Sequence, residues 1–386
     1  MMKKVHFLIH DLNTWGGQDR STLELIGRLD PDWEVGVVCY SVQGLNRART
    51  VLQIIKPSIK RPAFLKIAWF HLATLFYAWR ARRKGECVHM TGACALLADK
   101  IQVQFVHHEW CATLFAHPEL NAKGSLLKSF YNRTLLLYNL FVEKLVYKPE
   151  RQYLALSNRV KDELVRHFSI PPSQIEVIPH GVDYDFFRPL PSVEKILLKN
   201  EFLPAEYLAL IDKKIILLVG EYQRKGLESA IAAFSKLPEA MRQEWVLMAV
   251  GGGNEQHYRE LALHHQVPES VILLGHHQKV LPFYQMADLF LLPTHYEPFG
   301  LVIFEAMACG LPSVVSRCAG AYELAEEGVS IMGIENPSDV DEIATLLARL
   351  LPDESLRASL GDAGREVALK RGWDKVASEH QEWLKQ

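Results

Sequence analysis

The chain has 386 residues, 49% of them hydrophobic and 23% charged, with a net charge of −2. Such a length exceeds one ordinary hydrophobic core and suits two domains of roughly 150 to 200 residues each, and the apolar content excludes a disordered or low-complexity chain. The six cysteines, Cys39, Cys87, Cys94, Cys111, Cys309 and Cys318, form no Cys-x-x-Cys pair, which argues against a zinc site and a disulfide framework and fits a reducing cytoplasm.

The chain opens on MMKKVHFLIH. Its apolar stretch is too short for a signal-peptide core and no small-residue cleavage site follows, so a first strand is predicted at Val5 to His10. In the turn NTWGGQDR that follows, Asn13 to Arg20, Gly16 and Gly17 let the backbone approach a ligand closely before a helix begins near Ser21. A tight turn without a ligand explains such a pair equally well. Short strands are predicted next at Trp33 to Tyr40, Val88 to Met90, Gln102 to His107, Tyr153 to Ser157 and Glu176 to Pro179, with helical stretches between them. The second half repeats the alternation at Lys214 to Val219, Trp245 to Gly251, Val271 to Gly275, Leu289 to Pro293 and Ser313 to Ser316. Two parallel-sheet α/β domains follow from this order, with ligands expected beyond the carboxyl ends of the strands. The seam is expected in the Pro-bearing stretch Asp183 to Pro204, with the last helix, after Arg371, crossing back to the first domain.

Charge is unevenly shared. Residues 1–190 carry 25 Lys and Arg against 17 Asp and Glu, net +8, and the remainder 18 against 28, net −10. Residues 60–84 hold seven Lys and Arg, no acid, and an aromatic centre with Trp69, Phe70, Phe76, Tyr77 and Trp79. The apolar part is shorter than the roughly 20 residues a transmembrane helix needs. An interfacial helix on an anionic membrane is one reading, supported by a second basic and apolar stretch at 123–148; two core helices with solvated basic ends are the other. No nucleic-acid-binding motif accompanies the charge.

Two turns of the second half carry chemistry. Gly220 to Gly226, GEYQRKG, places Arg224 and Lys225 together at the start of a helix, where adjacent cations at a positive dipole end are mutually unfavourable unless an anion sits between them. Solvated surface charge is the plain alternative. Further on, HYEPFGLVIFEAMACGLP, His295 to Pro312, sets Glu297 and Glu305 seven residues apart across a loop-to-helix junction. From Leu301 to Cys309 the helix is apolar all round and therefore buried, with Gly310 and Pro312 as its stop. Glu305 is the exception, and a buried carboxylate needs either a protein cation or a ligand rich in hydroxyl donors. Pro298 to Leu301 is expected as the first turn, whose free N–H groups suit a diphosphate.

The Glu297/Glu305 pair within EPFGLVIFEAMACGLP resembles the E-x7-E signature of the family-4 retaining glycosyltransferases. Further segments match in order: the WGGQDR turn, IPHGVD at Ile178 to Asp183, GEYQRKG, MADLFLLP at Met286 to Pro293, and the Trp373-containing tail. Within that family the pattern is most similar to the lipopolysaccharide core glucosyltransferases, whose phosphate turn also ends in Arg-Lys-Gly.

The resemblance implies an α/β protein of GT-B fold: two doubly wound Rossmann-like domains facing a central cleft, an acceptor-side domain over 1–185, a nucleotide-sugar domain over 186–370, and a C-terminal helix over 371–386 that crosses back. It implies a hexosyltransferase that takes a nucleotide sugar, a UDP-sugar, and acts with retention on a lipopolysaccharide-core or other lipid-linked or cell-surface glycan. It further implies no metal and no cofactor, and a site on the cytoplasmic face of the membrane. Glu305 would take the ribose hydroxyls and Glu297 the donor sugar. Arg224 and Lys225 would clamp the diphosphate and the charge developing on it. The backbone of Phe299, Gly300 and Leu301, with Gly16 and Gly17 of the other domain, would complete the cradle. His107 or His108 matches a family histidine near the reacting sugar, and His277 would contact the base. The leaving phosphate would deprotonate the acceptor, so no side-chain nucleophile is named, unlike the paired carboxylates of glycosidases. Many members carry Arg where this chain has Glu221, which leaves Arg224 to supply that cation. A GT-B epimerase or phosphorylase, and a non-catalytic subunit of a glycan-assembly complex, are the alternatives.

Overall fold

The computed structural model describes residues 3–14, 16–45, 50–56, 62–120 and 126–386, with the backbone alone at 119, 126–128 and 192. Trp15, Lys60, Arg61 and Lys123, named above, lie outside the described residues, as does the Lys128 side chain. The chain divides into two compact units, Met1–His180 with Trp373–Gln386, and Gly181–Gly372.

The first unit is built on a seven-stranded sheet in the order Thr50–Ile54, Trp33–Cys39, Lys3–Leu8, Cys87–Thr91, Lys100–Val103, Gln152–Ala155, Ile175–Val177. All its pairings are parallel. The chain winds outward from Lys3–Leu8 on one side and then reverses, so the switch point lies between that strand and Cys87–Thr91. Central strands of a parallel sheet are covered on both faces, and these read accordingly as near-continuous apolar runs.

Two boundaries and two strands in this unit and its neighbour differ from expectation. The first helix starts at Gly17 and runs to Gly27 instead of beginning near Ser21, because the Asn13 side chain accepts the Gly16 N–H at 2.8 Å and sets up the turn early. The strand expected over Gln102 to His107 is Lys100–Val103, and His107 and His108 open the helix His107–Ala116. Thr50–Ile54 and, in the second unit, Met332–Ile334 are strands that the sequence reading left out.

The C-terminal helix Trp373–Lys385 packs on Gly17–Gly27. Arg28 donates to Asp374 at 2.7 Å, the Asp30 N–H to Gln381 at 2.8 Å, and the Lys100 ammonium to the Trp383 carbonyl at 2.7 Å. Helices Ala63–Arg83 and Leu126–Val146 pack together elsewhere on the unit. The first buries Phe70, His71, Thr74, Ala78 and Ala81 and leaves Leu65, Trp69, Leu72, Phe76 and Trp79 exposed in a row at three- and four-residue spacing. On the second, Phe130, Leu137, Phe141 and Leu145 form a similar exposed row. Among the described residues no helix is long and apolar enough to cross a membrane.

The second unit holds a six-stranded parallel sheet in the order Val271–Leu273, Trp245–Val250, Lys214–Val219, Leu289–Leu292, Ser313–Ser316, Met332–Ile334. Its switch point lies between Lys214–Val219 and Leu289–Leu292. The loops leaving those two strands are therefore neighbours, and a ligand crevice forms where neighbouring loops part in opposite directions.

Candidate functional site

The two loops at this switch point are Gly220 to Gly226 and Pro293 to Gly300. They are stitched together by the Arg224 carbonyl, which accepts the His295 N–H at 3.2 Å and the Thr294 hydroxyl at 3.0 Å. Gly226 caps the helix Leu227–Ser235 with φ 75°, and a Cβ there would lie 1.9 Å from the Pro293 carbonyl oxygen. Only glycine fits that left-handed, tightly packed position. The far side of the second loop is held as well, since the Gly320 N–H donates to the Glu297 carbonyl at 3.0 Å and the Ala321 N–H to that of Phe299 at 2.8 Å.

This stitching converges three charged side chains. Lys225 is 4% exposed and Glu297 8%. The Lys225 ammonium donates to Glu297 Oε2, and Arg224 Nη1 donates to the same oxygen at 3.2 Å and to the Tyr296 carbonyl at 3.1 Å. The anion demanded by two adjacent cations is thus supplied in part by Glu297. Burial pushes the Glu297 carboxyl up, but the charges of Lys225 and Arg224 outweigh it and hold it below the usual carboxylate range. Glu221 plays a different part. Its carboxylate accepts the Gln223 N–H at 3.3 Å and the Arg224 N–H at 2.9 Å, so it caps the turn that presents the cations.

The glutamate helix runs from Leu301 to Ala308, with Gly300 as its cap at φ 100°. Pro298 to Gly300 therefore precede the helix and do not form its first turn, because the extended link to Ala319 and Ala321 keeps Glu297 and Phe299 out of helical geometry. Glu305 is 2% exposed, and the buried Tyr284 hydroxyl donates to its Oε2 at 2.8 Å. One of its partners is thus a protein hydroxyl, which the sequence reading, with a protein cation or a ligand in view, did not name. Leu301 is half-buried and Phe299 is 2% exposed. His277 is exposed just beyond Val271–Leu273, with Nε2 at 3.1 Å from the Leu274 carbonyl.

The remaining candidates belong to the first unit. Gly16 is the helix cap and Gly17 the first helical residue. Beside them Asn13 donates to Asp19, whose carboxyl is pushed up to about 7 by burial, with Asp11 adding to the effect. His107 and His108 both turn Nδ1 to one carboxylate, Glu143, at 2.8 Å each. Glu143 and Tyr284 are the partners that sequence reasoning missed. The signal for Glu143, an acid in the basic and apolar stretch 123–148, is visible only in retrospect. Among the described residues no group of three or more His, Cys, Asp or Glu is placed to hold a metal ion.

Residues 15–186 match the model for Glycosyltransferase Family 4, and residues 200–367 that for Glycosyl transferases group 1. An uncharacterized glycosyltransferase of Methanocaldococcus jannaschii is 33% identical over 235 residues, 59% of this chain and 58% of that protein. A D-inositol 3-phosphate glycosyltransferase of Xylanimonas cellulosilytica is 32% identical over 237 residues, 58% of this chain and 54% of that protein. The chain spans little more than half the length of these curated relatives. Among solved structures it is similar to WaaG, a glycosyltransferase involved in lipopolysaccharide biosynthesis, with a TM-score of 0.75, 18% identity and coverage of 98% of this chain and 99% of that one. It is also similar to Anabaena HepE in complex with UDP and glucose, with a TM-score of 0.68, 17% identity and full coverage of both chains. At such identities the likeness shows the fold, which is GT-B. With its two halves matched in chain order and that fold shared along its length, the chain belongs to the family-4, group 1 glycosyltransferases.

Proposed function

We propose that this chain transfers a hexose with retention from a UDP-sugar to a lipopolysaccharide-core or other lipid-linked glycan, without a metal ion or cofactor. The observation that carries the reading is the cluster of half-buried Arg224 with the buried Lys225 and Glu297 at the switch point of the second unit. Two cations against one carboxylate suit a diphosphate, and they stabilise the charge that grows on it as the glycosidic bond breaks. Glu305 takes the ribose: a carboxylate accepts about four hydrogen bonds, so the bond from Tyr284 and those from ribose hydroxyls are compatible. Within the second unit Glu297 holds the sugar, Phe299, Gly300 and Leu301 line the phosphates, and His277 lies toward the base. HepE was solved with UDP and glucose, which supports a UDP-sugar donor, and WaaG's part in lipopolysaccharide biosynthesis supports the acceptor class. Calorimetry with UDP, GDP and ADP followed by a donor-hydrolysis panel tests the proposal. UDP is expected to bind preferentially, and no nucleotide binding at millimolar concentration would overturn it. A non-catalytic subunit is the second reading, favoured by Glu221 in the phosphate turn; UDP binding without hydrolysis of any donor would select it.

The same proposal places the chain peripherally on the cytoplasmic face of an anionic membrane. The exposed rows on Ala63–Arg83 and Leu126–Val146 supply the apolar contact, and Arg80, Arg82, Arg83 and Lys84 the charge, with the Arg83 guanidinium 4.7 Å from the Trp79 ring centroid. Flotation with vesicles containing anionic lipid should carry the protein at low salt and release it as salt rises. Failure to float at any salt concentration removes this part.

A further inference from the structure

The two faces of the first unit's central strands are built differently. On one, Leu8, Val88, Met90, Ile101 and Val103 join a buried apolar core, as the middle of a parallel sheet requires. On the other, the register sets Phe7 beside His89, His89 beside Lys100 and Thr91 beside Gln102. His89 and Thr91 are fully buried there, and the C-terminal helix Trp373–Lys385 brings His380, 1% exposed, and Trp383 against them. The His89 ring stands edge-on to His380 at 5.2 Å and to Trp383 at 5.9 Å, and His380 stacks on Trp383 at 5.5 Å. Among the described residues neither nitrogen of either imidazole has a hydrogen-bond partner, and the Thr91 hydroxyl and Gln102 Oε1 have none either.

An imidazole without a partner on either nitrogen is held by packing alone, and a proton on it becomes a buried charge with no counterion. Lys100 is the charged side chain that acts on both rings, and it carries the same sign; its ammonium donates to the Trp383 carbonyl at 2.7 Å. Among the described residues no carboxylate acts on them: Glu24 and Asp374 are engaged by Arg28, Glu382 by Lys385 and Glu176 by Gln386, while Glu379 lies half-buried on the helix. The chain just before the helix is anchored independently, since the Val182 N–H donates to the Arg371 carbonyl at 3.0 Å. We propose that Trp373–Lys385 is an acid-opened latch: His380 and His89 hold it on the first unit as neutral rings, and a proton on either releases the helix while the sheet stays folded. The proposal is independent of the transferase reading. Its sign follows from burial, which lowers His380 to about 3, with Lys100 adding to the effect, and lowers His89 in the same direction, with His380 and then Lys100 adding to it. In the released form the rings titrate near the ordinary 6.5, so docking is fully favoured above that pH and weakens below it, approaching tenfold per pH unit for each ring that takes a proton. A terminal helix opens at less cost than the sheet beneath it, so the proton is taken up there before the unit unfolds.

Hydrogen exchange of the full chain, read by mass spectrometry as protection relative to the intrinsic rate at each pH, tests the latch between about pH 7.5 and 5.5, above the ordinary carboxylate range. Protection across Trp373–Lys385 should fall about 10-fold if one ring titrates and about 100-fold if both do, while Lys3–Leu8 and Lys100–Val103 keep theirs. His89→Phe combined with His380→Phe should leave the helix docked and remove the pH dependence. Helix protection that stays constant over this range overturns the proposal, as does a folded double variant that loses protection as the wild type does. Equal loss in the two strands overturns it as well, because the unit then opens as a whole. The wild-type profile decides alone if the double variant fails to fold.

Discussion

Replacing Glu297 tests whether the charged cluster is as desolvated as its burial indicates. The carboxylate is 8% exposed and accepts from Lys225, whose side chain is 5% exposed, and from Arg224, whose side chain is 25% exposed. Glu297→Ala strands a buried ammonium, and breaking a buried pair from one side costs about 3 to 5 kcal/mol. The Arg224 share falls at the low end, because solvent reaches that side chain and screens it. Glu297→Gln keeps one accepting oxygen and should cost less, about 1 to 3 kcal/mol. Of the eight tryptophans only Trp245 lies within Gly181–Gly372, and it is 1% exposed, so with 5-fluorotryptophan labelling its 19F resonance, assigned by Trp245→Phe, follows the unfolding of this unit in urea. The two units need not unfold together, and the Trp245 transition is the one to fit. A loss below about 1 kcal/mol in Glu297→Ala would show that water screens Lys225 in solution, and the electrostatic argument for the diphosphate site would fail with it.

Gly226→Ala should destabilise the second unit by about 1 to 3 kcal/mol through backbone strain, since its Cβ would collide with the Pro293 carbonyl at φ 75°; a urea midpoint equal to the wild type's would refute the tight approach of the two loops. Glu305→Ala is expected to weaken UDP binding at least tenfold, about 1.4 kcal/mol, by calorimetry, and unchanged affinity would reduce Glu305 to a structural partner of Tyr284. Burial holds the His380 imidazole down at about 3, and His89 beside it is lowered in the same way. As pH falls below 6.5 the unfolded chain takes up protons that the folded chain refuses, so the first unit should lose about 1.4 kcal/mol per pH unit from His380 alone. Glu297 runs the other way: its contribution stands above about pH 4.5, the ordinary carboxylate value, and is lost only as pH falls through its lowered folded value. Between pH 6.5 and 5 the first unit's transition should therefore move further than that of Trp245, whose unit carries the lowered but partly exposed His265, and His380→Phe should flatten the slope; equal movement of both transitions would contradict the burial of His380.

The parts of this fold that were legible are those whose signal is local. Lys214–Val219 and Trp245–Val250 are runs of apolar residues because each is covered on both faces. Thr50–Ile54 escaped because it is an edge strand with Val51 and Ile54 exposed, and Met332–Ile334 because three residues with a central glycine carry no period. The misplacement of His107 and His108 has a long-range cause. IQVQFV continues as a strand pattern, and what ends it is a carboxylate 36 residues later that captures the two N–H groups. The site shows the same division. That Arg224 and Lys225 need an anion, and that Glu305 needs a donor, followed from the residues alone. That the answers include Glu297, 72 residues from Lys225, and Tyr284 required the strand order that sets the two loops side by side.

That strand order also decides what Glu221 does. An acid next to a phosphate turn would weaken it if its charge fell on Arg224 and Lys225, for then two cations would face two carboxylates and nothing would remain for a ligand. Its carboxylate is engaged by the backbone N–H groups of Gln223 and Arg224 and makes no ion pair with either cation, so its charge reaches Lys225 only at longer range. The cations are left with Glu297 as their one side-chain ion-pair partner among the described residues, and the cluster keeps a surplus of one positive charge. A surplus charge in a buried cluster is costly to maintain, and the cost is smallest where solvent or an incoming anion can reach it. That place is Arg224, the most exposed of the three. Lys225 and Glu297 are then best regarded as a fixed buried pair, and Arg224 as the member free to divide its donors between Glu297 and a phosphate. Arg224→Gln should on this argument cost little stability and most of the diphosphate affinity, the reverse of what Glu297→Ala does to the fold.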